Sequence, residues 1–245
     1  MLEGQRVCFV TCSQWLAGDA RRSGLLKGQR VTSIPNPIDT RLFRPTDRKQ
    51  ARQEMGLPLD GKIVLFASQR VTTPNKGMTY LIEACRMLAE KHPEMTSQVS
   101  VAILGGHAEE IAGQLPFQTF PLGYVSEQHR IVAVYSASDV FVLPSLSENL
   151  PNTIMEAMAC GVPSVGFDVG GIPEEIDHRQ NGYVANYRDA TDLADGIWWT
   201  LYEADREHVR EACLHKVAQN YSQQSVANRY IEVYEAAMRP KAMKP

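Results

Sequence analysis

Between residues 62 and 187 short apolar runs alternate with longer segments of helical periodicity, and this alternation predicts the fold. "KIVLFAS" (62–68), "QVSVAILGG" (98–106), "DVFVLPS" (139–145) and "VPSVGFD" (162–168) are nearly continuous in apolar residues, as strands buried on both faces are. "QTFPLGYV" (118–125) and "GYVANY" (182–187) are shorter strands of the same kind. Between them, "GMTYLIEACRMLAEKHP" (77–93) sets Leu81, Ala84, Cys85 and Leu88 on one helical face before Pro93 ends it. "AEEIAGQL" (108–115), the serine-capped "SEQHRIVAVYSAS" (126–138), "PNTIMEAMAC" (151–160) and "GIPEEID" (171–177) are the other intervening helices. Such β and α units predict an α/β, Rossmann-like, doubly wound parallel sheet with helices on both faces. Sheets of this kind bind ligands at the carboxyl ends of their strands.

The two ends of the chain follow other patterns. "RVCFVTCS" (6–13) is a β-like run, and "SQWLAGDARRSGLLKG" (13–28) is a helix with a serine cap and a terminal glycine. "RVTSIPNPIDTRLFRP" (30–45) holds three prolines and predicts a connecting segment, followed by a short helix near Arg48–Met55. Beyond residue 190 helices dominate, and the last is amphipathic through Val226, Tyr230, Val233, Tyr234 and Ala237, a C-terminal helical strap. The expected organisation is a remnant of a preceding domain plus linker over 1–35, the Rossmann-like unit over 36–220, and a crossing helix and tail over 221–245.

Composition narrows this picture. A chain of 245 residues exceeds the usual single domain of about 100 to 150 residues without reaching two, and 44% hydrophobic with 22% charged residues describes a folded chain. No window holds 18 consecutive apolar residues and the first residues lack a basic segment before an apolar core, so a cytoplasmic protein is expected. The five cysteines form no C-x-x-C pair and read as reduced core thiols; the six histidines show no metal-ligand spacing, so no metal is expected. The net charge of −3 predicts no nucleic-acid partner. Residues 1–52, however, hold ten Lys/Arg against four acids, and the remainder fifteen against twenty-four, +6 and −9. That asymmetry fits a solvated basic face, and equally an attraction to an anionic membrane surface or acceptor.

Two stretches carry candidate chemistry. After the strand at 62–68, Arg70 and Lys76 flank a polar loop and Gly77 opens a helix, which suits a diphosphate: arginine grips it in a fork and lysine neutralises it as a point charge. An exposed loop with two unrelated cations fits the same residues. After the strand at 139–145, Glu148 and Glu156 stand eight positions apart, with Pro151 at a first helical position and the amides of Asn152, Thr153 and Ile154 free at the helix start. Glu156 interrupts an otherwise apolar helix and can accept hydrogen bonds from sugar hydroxyls; Glu148 can do so from the loop, or can serve as a cap.

In order, Arg70 and Lys76-Gly77, then Gly123-Tyr124-Val125, then Ser145 and Glu148, "EAMACGVP" from Glu156, and "GGIPE" from Gly170 resemble the motifs of the glycogen-synthase-like retaining glycosyltransferases, group 1 or family 4, of GT-B fold. The resemblance runs over residues 30–190. It implies a C-terminal donor-binding half whose partner domain, binding the acceptor, is reduced to the fragment before residue 35. It also implies that Arg70 and Lys76 hold the donor diphosphate, Glu156 the ribose, Glu148 the transferred sugar, and the backbone of Gly123, Tyr124 and Val125 the base edge. Asn149, Leu150, Asn152 and Thr153 complete the expected donor contacts. The expected substrates are a UDP- or GDP-linked sugar and an acceptor glycan or lipid-linked sugar, with no separate cofactor. "ENLPN" (148–152) is similar to the variant in enzymes of bacterial surface polysaccharide and lipopolysaccharide synthesis. A non-catalytic binding or assembly module of the same fold remains the alternative. A dinucleotide-binding enzyme would need a G-x-G-x-x-G turn, which "LGGHAEE" (104–110) does not supply.

Overall fold

The computed structural model describes residues 7–238. Strand β1 (Cys8–Thr11), helix α1 (Gln14–Arg22) and strand β2 (Arg30–Ser33) form a small β-α-β unit with the two strands parallel. Helix α2 (Arg48–Glu54) leads into the main sheet, whose strands are β3 (Lys62–Arg70), β4 (Val99–Gly106), β5 (Gln118–Gly123), β6 (Val140–Leu143), β7 (Ser164–Phe167) and β8 (Gly182–Ala185). All are parallel, in the order β5-β4-β3-β6-β7-β8. The chain therefore winds outward from β3 in one direction and from β6 in the other. The crevice where the winding reverses lies beyond the carboxyl ends of β3 and β6.

The strands are buried on both faces, which is why they read as unbroken apolar runs. Ile63, Leu65 and Ala67 of β3 face one core, with α2, α6 (Gln128–Ala137), α7 (Asn152–Ala159) and α10 (Arg206–Asn220). Val64 and Phe66 face the other, with α3 (Met78–Lys91) and α9 (Ala190–Trp198). Short helices α4 (Met95–Gln98), α5 (Glu109–Ala112) and α8 (Ile172–Glu175) complete the connections, and α11 (Gln223–Met238) closes the described chain.

Several local expectations need correction. The proline-rich segment at 30–45 begins as a strand, because Arg30–Ser33 pairs with β1 in register before the prolines take over. Helix α1 stops at Arg22; a 3-10 turn at Gly24–Leu26 follows, and Gly28 adopts φ +80° after it. Ser13 does cap α1, accepting from the Leu16 amide at 3.0 Å. Ser126 does not cap α6, whose preceding residue is Glu127 without a side-chain capping bond. The apolar stripe of α11 is narrower than expected: Val226 and Val233 are buried with Tyr230 against Ile34, Cys8 and Val10, whereas Tyr234 is 60% exposed. The cysteines are all free thiols; Cys85, Cys160 and Cys213 lie in the core, but Cys8 and Cys12 are only partly buried. Among the described residues no helix is long and apolar enough to cross a membrane.

Candidate functional site

Backbone close approach builds the site at the β3/β6 crevice. Gly77 precedes α3 at φ +69°, and a Cβ there would collide with the Pro144 carbonyl oxygen, so the loop after β3 lies directly on the loop after β6. The Leu146 amide donates to the Asn75 carbonyl at 2.8 Å across the same seam. Gly170, at φ +60°, and Gly171 stack in the same way on the carbonyls of Glu148 and Asn149, tying the turn after β7 to the Glu148 loop. Gly105, at φ +142°, passes against the Ser68 carbonyl. The exits of β3, β4, β6 and β7 thus meet, and only glycine fits at each crossing.

The charged groups sit on these exits. Arg70 ends β3 just past a bulge and donates from Nε to Thr72 Oγ1 at 3.2 Å. Lys76 Nζ reaches Glu148 Oε1 at 2.5 Å, so the two loops are joined by an ion pair, and the lysine and the glutamate occupy one place. Glu156 lies one turn into α7 and accepts from Tyr135 Oη at 3.0 Å. Burial raises its carboxyl pKa above the usual range, and the Tyr135 hydrogen bond offsets part of that rise. Glu156 and Thr153 share a cleft of about 140 Å³ with Ser68, Gly105, Tyr124 and Val125. Gly123, at φ +65°, turns the chain into that wall; Tyr124 is exposed and Val125 is anchored in the core.

The start of α7 differs from its sequence reading. Pro151, at φ −73° and ψ 113°, caps the helix and does not begin it; Asn152 is the first helical residue. The Pro151 carbonyl takes the Ile154 amide at 3.0 Å, leaving the amides of Asn152 and Thr153, not three, as the ones a first turn leaves without helical acceptors. The side chains of the Asn149 to Asn152 stretch turn away from the cleft. Asn149 bonds Ser13 Oγ and, at 2.8 Å, Cys12 Sγ; Leu150 is buried; Asn152 accepts from Asn36 at 3.2 Å. Any contact these three make in the cleft falls to their backbone.

Some participants carry no sequence signal. Tyr135, Ser68 and Gly105 reach Glu156 or the cleft only through tertiary folding. Glu174 accepts from the Gln14 and Trp15 amides at 2.7 Å each, capping α1 from across the chain. Among the described residues no three His, Cys, Asp or Glu side chains converge as metal ligands would.

The family profile described as "Glycosyl transferases group 1" matches residues 47–213. A D-inositol 3-phosphate glycosyltransferase of Thermobispora bispora is 26% identical over 86% of this chain and 51% of its own length. D-inositol 3-phosphate glycosyltransferase 2 of Catenulispora acidiphila is 30% identical over 69% of this chain and 42% of its own. The chain spans about half the length of the curated relatives it matches. Among solved structures, a glycosyltransferase from Rickettsia africae superposes with a TM-score of 0.80 at 22% identity, covering 98% of this chain and 65% of that one. Anabaena Alr3699/HepE in complex with UDP and glucose superposes with a TM-score of 0.75 at 22% identity, covering 93% and 62%.

Proposed function

We propose, since the chain belongs to the glycosyl transferases group 1 family, that it forms the nucleotide-sugar-binding half of a retaining enzyme that transfers a hexosyl group to an acceptor glycan or lipid-linked glycan. The observation carrying this reading is that Glu156, Thr153, Tyr124 and Val125 line a cleft with Ser68 and Gln69, the residues just before Arg70 on β3, while Lys76 and Glu148 pair across the loops that leave β3 and β6. In this reading Glu156 accepts the ribose hydroxyls and the turn at Tyr124 and Val125 lies along the base. Arg70 and Lys76 take up the charge of the departing diphosphate as the bond from the anomeric carbon to phosphate oxygen breaks. The acceptor oxygen bonds to the same face of that carbon and passes its proton to the departing phosphate oxygen. Glu148 holds Lys76 in place and presents its remaining lone pairs to the sugar.

The UDP complex of the Anabaena protein supports a uridine donor over a guanosine one. The "ENLPN" loop supports an acceptor in bacterial polysaccharide or lipopolysaccharide synthesis, at the cytoplasmic face of the membrane. The names of the curated relatives favour a second acceptor class, an inositol phosphate. Calorimetry with UDP, GDP and their sugars tests the donor half directly: one nucleotide binds, and Arg70→Ala weakens it by roughly 1.5 to 3 kcal/mol, the worth of one charge-assisted contact. Absence of binding to every nucleoside diphosphate would sink the reading.

A further inference from the structure

At the opposite end of the sheet, below the amino ends of β3, β6 and β7, lies a partly open cavity of about 170 Å³. Its polar wall is formed by Arg48, Lys62, Arg206 and Arg210, with Asp139 as the single carboxylate among the lining residues. The charges around it do not balance. Asp139 already receives Arg48 and Arg52 and the Ile63 amide, and Arg210 pairs with Glu207 at 2.8 Å. Lys62 and Arg206 have no ion-pair partner among the described residues. Counting Arg52 with its neighbour Asp60, and Glu207, five cations meet three carboxylates.

Arg48 Nε is buried and has no hydrogen-bond partner, which a buried donor of this strength ordinarily finds. Arg206 is exposed, and the part of its guanidinium that packs on the protein is desolvated and lies near the like charge of Arg48, both of which lower its pKa. The amino end of α10 itself is not the attraction, because Asp205 already caps the Glu207 and His208 amides. Gly161 keeps the path of Arg210 open: a Cβ there would lie 3.0 Å from Arg210 Cγ. The volume is enough for one tetrahedral anion with a few waters.

We propose that this cavity is a binding site for a soluble phosphate group, free or as a small phosphomonoester, held by Arg48, Arg206, Arg210 and Lys62. Guanidinium forks match the oxygens of a tetrahedral dianion, and among the described residues Arg206 and Lys62 have no ion-paired carboxylate of their own to compete with it. The site is separate from the donor crevice and does not depend on it.

The test is a titration of the chain with inorganic phosphate at constant ionic strength set by chloride. Saturable binding is expected, weakened at least tenfold in the Arg206→Ala/Arg210→Ala variant and unaltered in Arg70→Ala, with circular dichroism checking that both variants fold. No saturable binding, or binding lost in Arg70→Ala and kept in the double variant, overturns the site. A second arm sediments the chain with phosphatidylcholine vesicles containing phosphatidylglycerol. Vesicle binding that requires Arg206 and Arg210, without saturable uptake of free phosphate, assigns these cations to a lipid surface and also overturns it.

Discussion

Glu175 follows Glu174 in the "GGIPEE" turn and meets a different environment. Its side chain is fully buried and neither carboxyl oxygen has a hydrogen-bond partner among the described residues. Burial raises its pKa well above the ordinary carboxyl value; the negative charges of Glu148 and Glu174 add to the rise and Lys216 opposes it. The unfolded chain releases this proton near pH 4.3 and the folded chain at higher pH, so the folded state binds more protons between the two values. Stability is therefore full below the unfolded pKa and falls as pH rises toward the folded one, at about 1.4 kcal/mol per pH unit from this group. Urea denaturation of Glu175→Gln is expected to show that slope removed and a midpoint above the parent at pH 8; parallel pH profiles would contradict it. Glu156, by contrast, announced itself as an acid in an apolar helix, whereas its partner Tyr135 stands 21 residues away and could not be read from spacing.

At the scale of elements, α2 shows how a charged residue can set a junction. Arg52 is buried and its guanidinium reaches the carbonyls of Ala137 at 3.0 Å, Leu59 at 2.9 Å and Gly61 at 3.2 Å, as well as Asp139 at 2.9 Å. Asp139 in turn accepts the Ile63 amide at 2.8 Å, so one ion pair ties α2, the end of α6 and the first residues of β3 together. A lysine keeps the charge but has no planar fork to serve four acceptors. Arg52→Lys is expected to cost about 2 kcal/mol or more in chemical denaturation, since several carbonyls lose their donor in a dry site. A loss below 0.5 kcal/mol would show that water replaces the fork. The amphipathic helix α3 and the strands around it were legible from periodicity. The junction was not, because Arg52 reads as an ordinary exposed position of a short helix.

In the whole molecule, the loops that face the crevice on one side hold the amino-terminal β-α-β unit on the other. Glu174 caps α1, Asn149 bonds Cys12 and Ser13, and Val226 and Val233 of α11 cover Ile34 beside β1 and β2. Glu174→Ala removes a charged cap shared by two amides, worth roughly 1.5 to 3 kcal/mol. Amide exchange at Gln14 and Trp15 should then accelerate some 10- to 100-fold, while the β3 and β4 amides keep their protection. Equal acceleration throughout the sheet would mean that the unit and the main sheet unfold as one.

The sequence by itself determined the alternation of buried strands and amphipathic helices, hence the doubly wound parallel sheet, and it marked Arg70, Lys76, Glu148 and Glu156 as charges on the exits of strands. It could do so because strand burial and helical periodicity are local patterns. Tertiary structure alone decided that Lys76 meets Glu148 across two loops and that Asn149 and Asn152 turn toward the amino-terminal unit. It alone decided, too, that β2 pairs where prolines suggested a linker and that four cations line one cavity beneath the sheet. Each of these joins residues far apart in the chain, at distances set by close backbone crossings such as Gly170 over Glu148, which no local pattern encodes.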